Sequence, residues 1–386
     1  MKYILPLLLL TLVLLLWHVT SAPAPSSTKA IDTALARATA FLLKSQSPDG
    51  AFRSDTYGLL KDPLTLTPHV LYTLQELPPS PPVLAARQKA AAFLLATLTD
   101  DRPLSHPVYT LATTVSALAR ERTSPGKIQP LLDRLLAYQF TEASGWSIDD
   151  LPYGGWGYNL LPLRKSATPD PTLAPPDTNV SSTVYALRAL SDAQLPSAHP
   201  AFAAARRFLA ACQNLPPAGA LPTSFDDGGF FFSSSETSRN KAAEAGTDPA
   251  GVLRYRSYGT MTADGLRALI HANIPPVARE PQAAATWLRT RFAVDVQPGD
   301  FPQDRALFRL GMYYYYLASL AQAAALHSAA APPAWAQTLS AELLARQNAD
   351  GSWVNAYTDA REDDPLVATF HAALALALAR KNLAGP

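Results

Sequence analysis

The chain of 386 residues sets 32 lysines and arginines against 31 aspartates and glutamates, a formal charge of +1. Bulk electrostatics therefore draws in neither nucleic acid nor an acidic membrane, and no nucleic-acid partner is expected. The sole cysteine, Cys212, excludes an intramolecular disulfide.

The N-terminal stretch MKYILPLLLLTLVLLLWHVTSA has one lysine, an apolar run from Tyr3 to Trp17, and small residues at Ser21 and Ala22. That run is shorter than the roughly 20 residues a bilayer needs, so residues 1–22 read as a signal peptide. A Pro/Ser linker follows at 23–28. An extracytoplasmic location is expected, with an uncleaved N-terminus as the one route to membrane association.

Alanine and leucine dominate the remainder, β-branched runs are few, and the 35 prolines fall mainly between apolar segments, as breaks between helices. Two kinds of helix alternate. The first keeps Ile31, Leu35, Ala38 and Leu42 on one stripe while Asp32, Arg37 and Lys44 reach water, as an outer helix should. The second, as in HAALALALA, is apolar nearly all round and suits an inner position. Outer helices are predicted near 29–46, 84–98, 127–139, 199–213, 281–292 and 334–347, and inner ones near 64–77, 107–121, 179–194, 258–272, 305–326 and 365–380.

The first and last pairs nearly repeat one phrase. LLKSQSPDGAF at 42–52 leads into DPLTLTPH, and LLARQNADGSW at 343–353 leads into DPLVATFH. An open array usually ends in atypical polar caps, so matching ends favour closure. The expected fold is all-α, one α/α toroid of about six inner and six outer helices over 29–386. In such a ring every outer-to-inner loop emerges at one mouth. Two of these loops are long, Thr141 to Asp177 and Asn214 to Ser257, and their aromatic content marks them as lids.

The pattern LLxxQxxDGx-aromatic at 42–52 and 343–353 has partial copies in FLAACQN at 208–214 and in Gln139 followed by Gly145-Trp146. It resembles the QW repeat of squalene and oxidosqualene cyclases and the related repeat of protein prenyltransferase β subunits. The resemblance implies the α/α toroid and a central cavity suited to an isoprenoid chain. It also marks departures. Where cyclases that protonate an alkene carry Asp-x-Asp-Asp, this chain reads Arg361-Glu362-Asp363-Asp364, so only Asp363 and Asp364 carry over as acids. Prenyltransferases hold zinc with Asp, Cys and His on inner helices, whereas Cys212 falls on an outer one; no metal and no cofactor are expected.

The repeated phrase DPLxxTxH places Asp62, Thr67 and His69 at the same offsets as Asp364, Thr369 and His371. In a closed ring these helices are neighbours, and the two histidines with Asp62, Asp363 and Asp364 form an arrangement chemically usable for general acid–base work or a metal. The competing reading is structural: Asp before a helix is an N-cap, and Pro follows it at the first turn. Candidate ligand-binding aromatics are Tyr153, Trp156, Tyr158, Phe230, Tyr258, Tyr313, Tyr315 and Phe370. They could hold a greasy chain, stabilise a cation by about 0.5–2 kcal/mol each, or stack on sugar rings. Asn179-Val180-Ser181 matches a glycosylation acceptor but sits where a helix cap belongs.

Three functions remain open on the sequence. The first is a secreted toroid that binds an apolar, isoprenoid-like small molecule, with or without cyclase-like turnover. The second is a glycan-processing enzyme using the paired acids Asp149-Asp150, Asp226-Asp227 and Asp363-Asp364. The third is a non-catalytic interaction module. The sequence carries no signal for oligomeric state.

Overall fold

The structure, a computed structural model, describes residues 27–98, 102–168, 176–248, 251–357 and 360–385. The stretch read as a signal peptide, residues 1–22, and most of the expected linker lie outside these residues. Among the described residues there are twelve α-helices. The outer ones are α1 (Thr28–Lys44), α3 (Pro81–Thr97), α5 (Pro125–Leu136), α7 (Pro200–Cys212), α9 (Arg279–Thr290) and α11 (Trp335–Arg346). The inner ones are α2 (Pro63–Glu76), α4 (Pro107–Arg120), α6 (Val180–Asp192), α8 (Gly259–His271), α10 (Tyr313–Leu326) and α12 (Pro365–Ala384). Each inner helix packs on the next, and α12 packs back on α2 while α11 meets α1, so the double ring closes. No described helix is long and apolar enough to cross a membrane.

Local chemistry sets the helix starts. Proline occupies the first turn of α2, α3, α4, α5, α7 and α12, where its missing N–H costs nothing. Asn179 caps α6 by accepting from the Ser182 N–H at 2.7 Å and is fully buried, which bears out capping over glycosylation. One predicted boundary moves. The inner helix expected from residue 305 begins at Tyr313, behind a 3₁₀ segment at Gln303–Arg309. Its first turn is capped from a distant loop: the Glu362 carboxylate accepts from the N–H groups of Tyr314 at 3.1 Å and Tyr315 at 2.7 Å. A cap supplied from far along the chain leaves no local sequence signal.

The repeated glutamine is a clamp between neighbouring repeats. Gln46 Nε2 donates to the Gly50 and Ala86 carbonyls, each at 2.9 Å, and Gln213 Nε2 to the Gly228 and Glu280 carbonyls. Gln347 Nε2 donates to Gly351 O at 3.0 Å and to Ala34 O at 2.9 Å, which ties the last repeat to the first. The glycine beside each clamp is required. Gly351 sits at φ +92°, and a Cβ there would lie 2.4 Å from the Arg37 carbonyl oxygen. The next aromatic donates its backbone N–H to a threonine of the following inner helix: Phe52 to Thr67 at 2.9 Å, Trp156 to Thr183 at 3.1 Å, Phe230 to Thr262 at 3.0 Å and Trp353 to Thr369 at 3.0 Å.

These contacts correct the third repeat. Gln139 pairs with the Gly154 carbonyl, and the aromatic in its register is Trp156 rather than Trp146. An insertion separates the glutamine from its turn, and Trp146 instead packs on Phe140 with ring centroids 5.0 Å apart. The long 214–258 loop also holds a short antiparallel hairpin, β1 (Glu244–Thr247) with β2 (Leu253–Tyr255), which helical periodicity gave no reason to expect.

Candidate functional site in the centre of the ring

A cavity of ≈ 440 Å³ opens where the inner helices begin. Its body is aromatic and aliphatic, with Tyr109, Tyr158, Tyr185, Tyr315, Phe232 and Phe370 beside Leu66, Met261, Met312 and Val367. His69 and His371 complete the wall. Deeper along the same helices, past His69, His371 and Phe370, the space narrows to a void of ≈ 10 Å³ bordered by Tyr72, Arg188, Gln322 and Leu374.

The seam of the ring brings the two histidines together. His69 stacks on Phe370 with centroids 5.4 Å apart, and His371 meets Tyr315 edge-on at 5.3 Å. Burial, helped by the Arg188 charge, pushes His69 down to about 3. Burial and the neighbouring His69 push His371 well below the ordinary imidazole range. Both rings are therefore neutral near pH 7, where each presents one donor and one acceptor. Burial also raises Tyr109, Tyr315 and Tyr158, the last to about 12, so all three stay protonated.

The carboxylates of the repeated phrase do not join this wall, which corrects the catalytic expectation for Asp62, Asp363 and Asp364. Asp62 caps α2 through the Leu64 N–H at 3.1 Å. Asp364 caps α12, accepting from the N–H groups of Leu366 at 2.8 Å and Val367 at 3.3 Å and from the Ser54 hydroxyl. Asp363 accepts from the Tyr57 hydroxyl. The starts of α2 and α12 need acceptors at Asp62 and Asp364, and that need engages these two carboxylates there.

The aromatic expectations divide. Tyr158, Tyr315 and Phe370 line the cavity. Trp156, Phe230 and Tyr258 are fully buried in the wall, and Tyr313 is 3% exposed and donates to the Val294 carbonyl at 2.7 Å. Each serves the inter-repeat packing described above, or holds a loop, rather than the cavity. Tyr153 faces a separate outer groove and donates to Glu142 at 2.6 Å.

Four cations, Arg239, Lys241, Arg305 and Arg361, stand around the mouth, and no carboxylate is among the described lining residues. Three of them lie over aromatic rings: Arg239 over Tyr158 at 5.3 Å, Lys241 over Phe308 at 4.8 Å and Arg361 over Tyr57 at 4.7 Å. Arg361, the residue that replaces the first acid of the cyclase motif, adopts φ +59°. That left-handed conformation costs a non-glycine residue about 1–2 kcal/mol, and the buried Glu362 that caps α10 anchors the turn holding it.

Behind the wall lies a feature the sequence reading missed, a fully buried ion pair in which Arg267 Nη1 is 2.9 Å from Asp264 Oδ1. Its other carboxylate oxygen accepts from Tyr315 Oη at 2.7 Å. Tyr315 Oη is 2.8 Å from Ser181 Oγ, which accepts from Tyr109 Oη at 2.8 Å. A signal existed: an acid and a base three residues apart in TADGLRALI, on a helix predicted to be an inner one, where charged residues are rarely buried unless paired. Among the described residues no group of three or more His, Cys, Asp or Glu is arranged to hold a metal ion.

Comparison with known proteins bears on the fold. A profile of the A-macroglobulin TED domain matches residues 21–203. No curated protein matches the chain. Among solved structures, a variant of the type II terpene cyclase MstE from Scytonema, in complex with geranylgeranyl dihydroxybenzoate, is similar with a TM-score of 0.57 at 14% identity, over 92% of this chain and 98% of that one. The GH76A α-1,6-mannanase from Salegentibacter sp. HEL1_6 is similar with a TM-score of 0.55 at 12% identity, over 92% and 99%. At such identities the likeness establishes a shared toroidal architecture and leaves the chemistry to the site.

Proposed function

We propose that this protein is an extracytoplasmic toroid that binds an apolar, isoprenoid-like small molecule in its central cavity. The observation that carries the reading is the lining: an aromatic and aliphatic body, two neutral imidazoles, cations at the mouth and, among the described residues, no carboxylate around ≈ 440 Å³, within the range of about 300–1,000 Å³ typical of small-molecule sites. The cations at the mouth favour a ligand whose outward end is anionic over one whose outward end is cationic. The N-terminal sequence supports the location.

Two facts weigh against rival chemistry. Cyclase-like protonation through Asp363 or Asp364 is not part of the reading, because both are engaged by helix starts or hydroxyls outside the lining. Glycoside hydrolysis needs two carboxyl groups facing each other across the substrate at roughly 5–9.5 Å. Three of the mouth-loop acids are engaged within their own loops instead: Asp150 by Lys165 at 2.7 Å, Asp226 by Arg254 at 2.6 Å and Asp227 by Ser257 at 2.7 Å, while Asp149 borders a separate outer groove.

The test is a thermal-shift and calorimetric comparison of purified protein with farnesol and geranylgeraniol against α-1,6-mannotriose. A bound isoprenoid at 100 times its dissociation constant stabilises the fold by about 2.7 kcal/mol. Stabilisation by the oligosaccharide with none by either isoprenoid overturns the proposal.

A further inference from the structure

We propose that the cavity wall reads a hydroxyl group on its ligand, held between Tyr109 and Tyr158, and that Asp264 is the positioning residue that fixes which phenol oxygen accepts. The inference rests on the reading that the cavity takes an apolar-bodied ligand, and it narrows that class to alcohols.

The argument follows protons along the chain of hydroxyls. Asp264 is paired with Arg267 inside a fully buried pocket, and a proton on the carboxylate would leave the guanidinium charge uncompensated there. The carboxylate is therefore an acceptor only, so Tyr315 must donate its one hydroxyl proton to Oδ2. With that proton spent, Ser181 must donate to Tyr315. With the serine proton spent, Tyr109 must donate to Ser181, as its 2.8 Å contact provides. A single buried charge thus sets the direction of three successive hydrogen bonds. Toward the cavity, Tyr109 Oη has only lone pairs to offer.

Tyr158 stands opposite with the reverse property. Its oxygen is 3.4 Å from Tyr109 Oη, well beyond the usual O–H···O separation of about 2.7–2.8 Å. The two rings are stacked with centroids 5.8 Å apart, and Arg239 lies over the Tyr158 ring. Among the described residues, Tyr158 therefore keeps a proton that no strong acceptor uses, beside an oxygen that can only accept. A ligand hydroxyl answers both: its oxygen accepts from Tyr158 and its proton goes to Tyr109. An ether or a ketone accepts from Tyr158 but leaves Tyr109 unanswered, and a hydrocarbon answers neither. Sites that pair a buried polar group with a substrate hydroxyl discriminate strongly against analogues that lack it.

Isothermal titration of the full mature chain with farnesol, farnesyl methyl ether and farnesene tests the inference. In the unmodified protein farnesol is expected to bind about tenfold more tightly than its methyl ether, with farnesene weaker still. Ser181→Ala cuts the chain and frees the Tyr109 proton, so the alcohol-over-ether ratio is expected to fall toward one. Tyr109→Phe removes the acceptor and is expected to do the same. A merely structural role for Ser181 would weaken all three probes together and leave the ratio intact, which overturns the assignment to Asp264. Asp264→Asn, checked for folding by circular dichroism, is expected to collapse the ratio as well; if it does not fold, the two other variants decide the matter. Equal affinity for farnesol and its ether in the unmodified protein overturns the hydroxyl site alone. Failure of all three probes to bind overturns the apolar-ligand reading beneath it.

Discussion

Replacing Gln347 by alanine tests closure of the ring at the one joint where the chain ends meet. The amide nitrogen donates to Ala34 O at 2.9 Å and to Gly351 O at 3.0 Å, and the first of these carbonyls belongs to the opposite end of the chain. Each lost bond leaves a partly buried carbonyl short of a donor and removes about 0.5–1.5 kcal/mol, so the variant is expected to lose about 1–3 kcal/mol. The contact from Arg37 to Gln347 Oε1 is exposed and adds little. Gln46→Ala is the internal reference, because it breaks the same pair of bonds between the first and second repeats. Urea unfolding followed by far-UV circular dichroism measures both variants. In a closed ring the two losses agree within about 0.5 kcal/mol, the scatter usual for independent sites. A Gln347→Ala protein indistinguishable from the unmodified chain, beside a Gln46→Ala protein that shows the full loss, refutes closure and with it the enclosed cavity.

Three further expectations follow. Thr369→Val deletes the hydroxyl that accepts from the Trp353 N–H and strands a buried donor, so it is expected to cost about 1–3 kcal/mol in the same urea assay; no loss would refute the inter-repeat role of this threonine. Acidification from about pH 6.5 toward about pH 4.5 is expected to destabilise the fold. The unfolded chain takes up protons near the ordinary imidazole value, while burial holds His69 and His271 down at about 3 and His371 well below the ordinary imidazole range, each contributing about 1.4 kcal/mol per pH unit. Glu362, pushed up to about 7 by burial, acts in the opposite sense: its contribution is greatest at low pH and is lost as pH rises from the ordinary glutamate range through about 7. Glu362→Gln is accordingly expected to steepen the loss on acidification, and a urea midpoint independent of pH over this range would refute neutral burial of the histidines. Finally, farnesoic acid is expected to lose affinity as sodium chloride rises from about 50 mM to about 500 mM while farnesol does not, since the mouth cations act through screened Coulomb attraction; parallel salt curves would remove the charge preference.

The sequence by itself determined the architecture. Helices with one apolar stripe, alternating with helices apolar all round, dictate a double layer, because the stripe is buried against an inner helix, which buries its remaining surface against its inner neighbours. The matching phrases at 42–52 and 343–353 announced a repeated clamp: Gln46 and Gly50 tie the first repeat to the second, and Gln347 and Gly351 tie the last repeat to the first. The histidines at 69 and 371 were legible for the same reason, since equal offsets in neighbouring helices place them side by side.

Direction was a different matter. Whether Asp364 faces a ligand or its own helix start depends on which N–H groups are left unpaired there, and whether Trp156 lines the cavity depends on how an insertion shifts its repeat. Only the folded ring decided these, along with the cap that Glu362 supplies to a helix begun nearly fifty positions earlier. The same holds for the chain of hydroxyls from Asp264 to Tyr109, which draws one residue each from four helices. Periodicity records which face of a helix is buried; it holds no record of the partner that a buried polar group meets, because that partner comes from elsewhere in the ring.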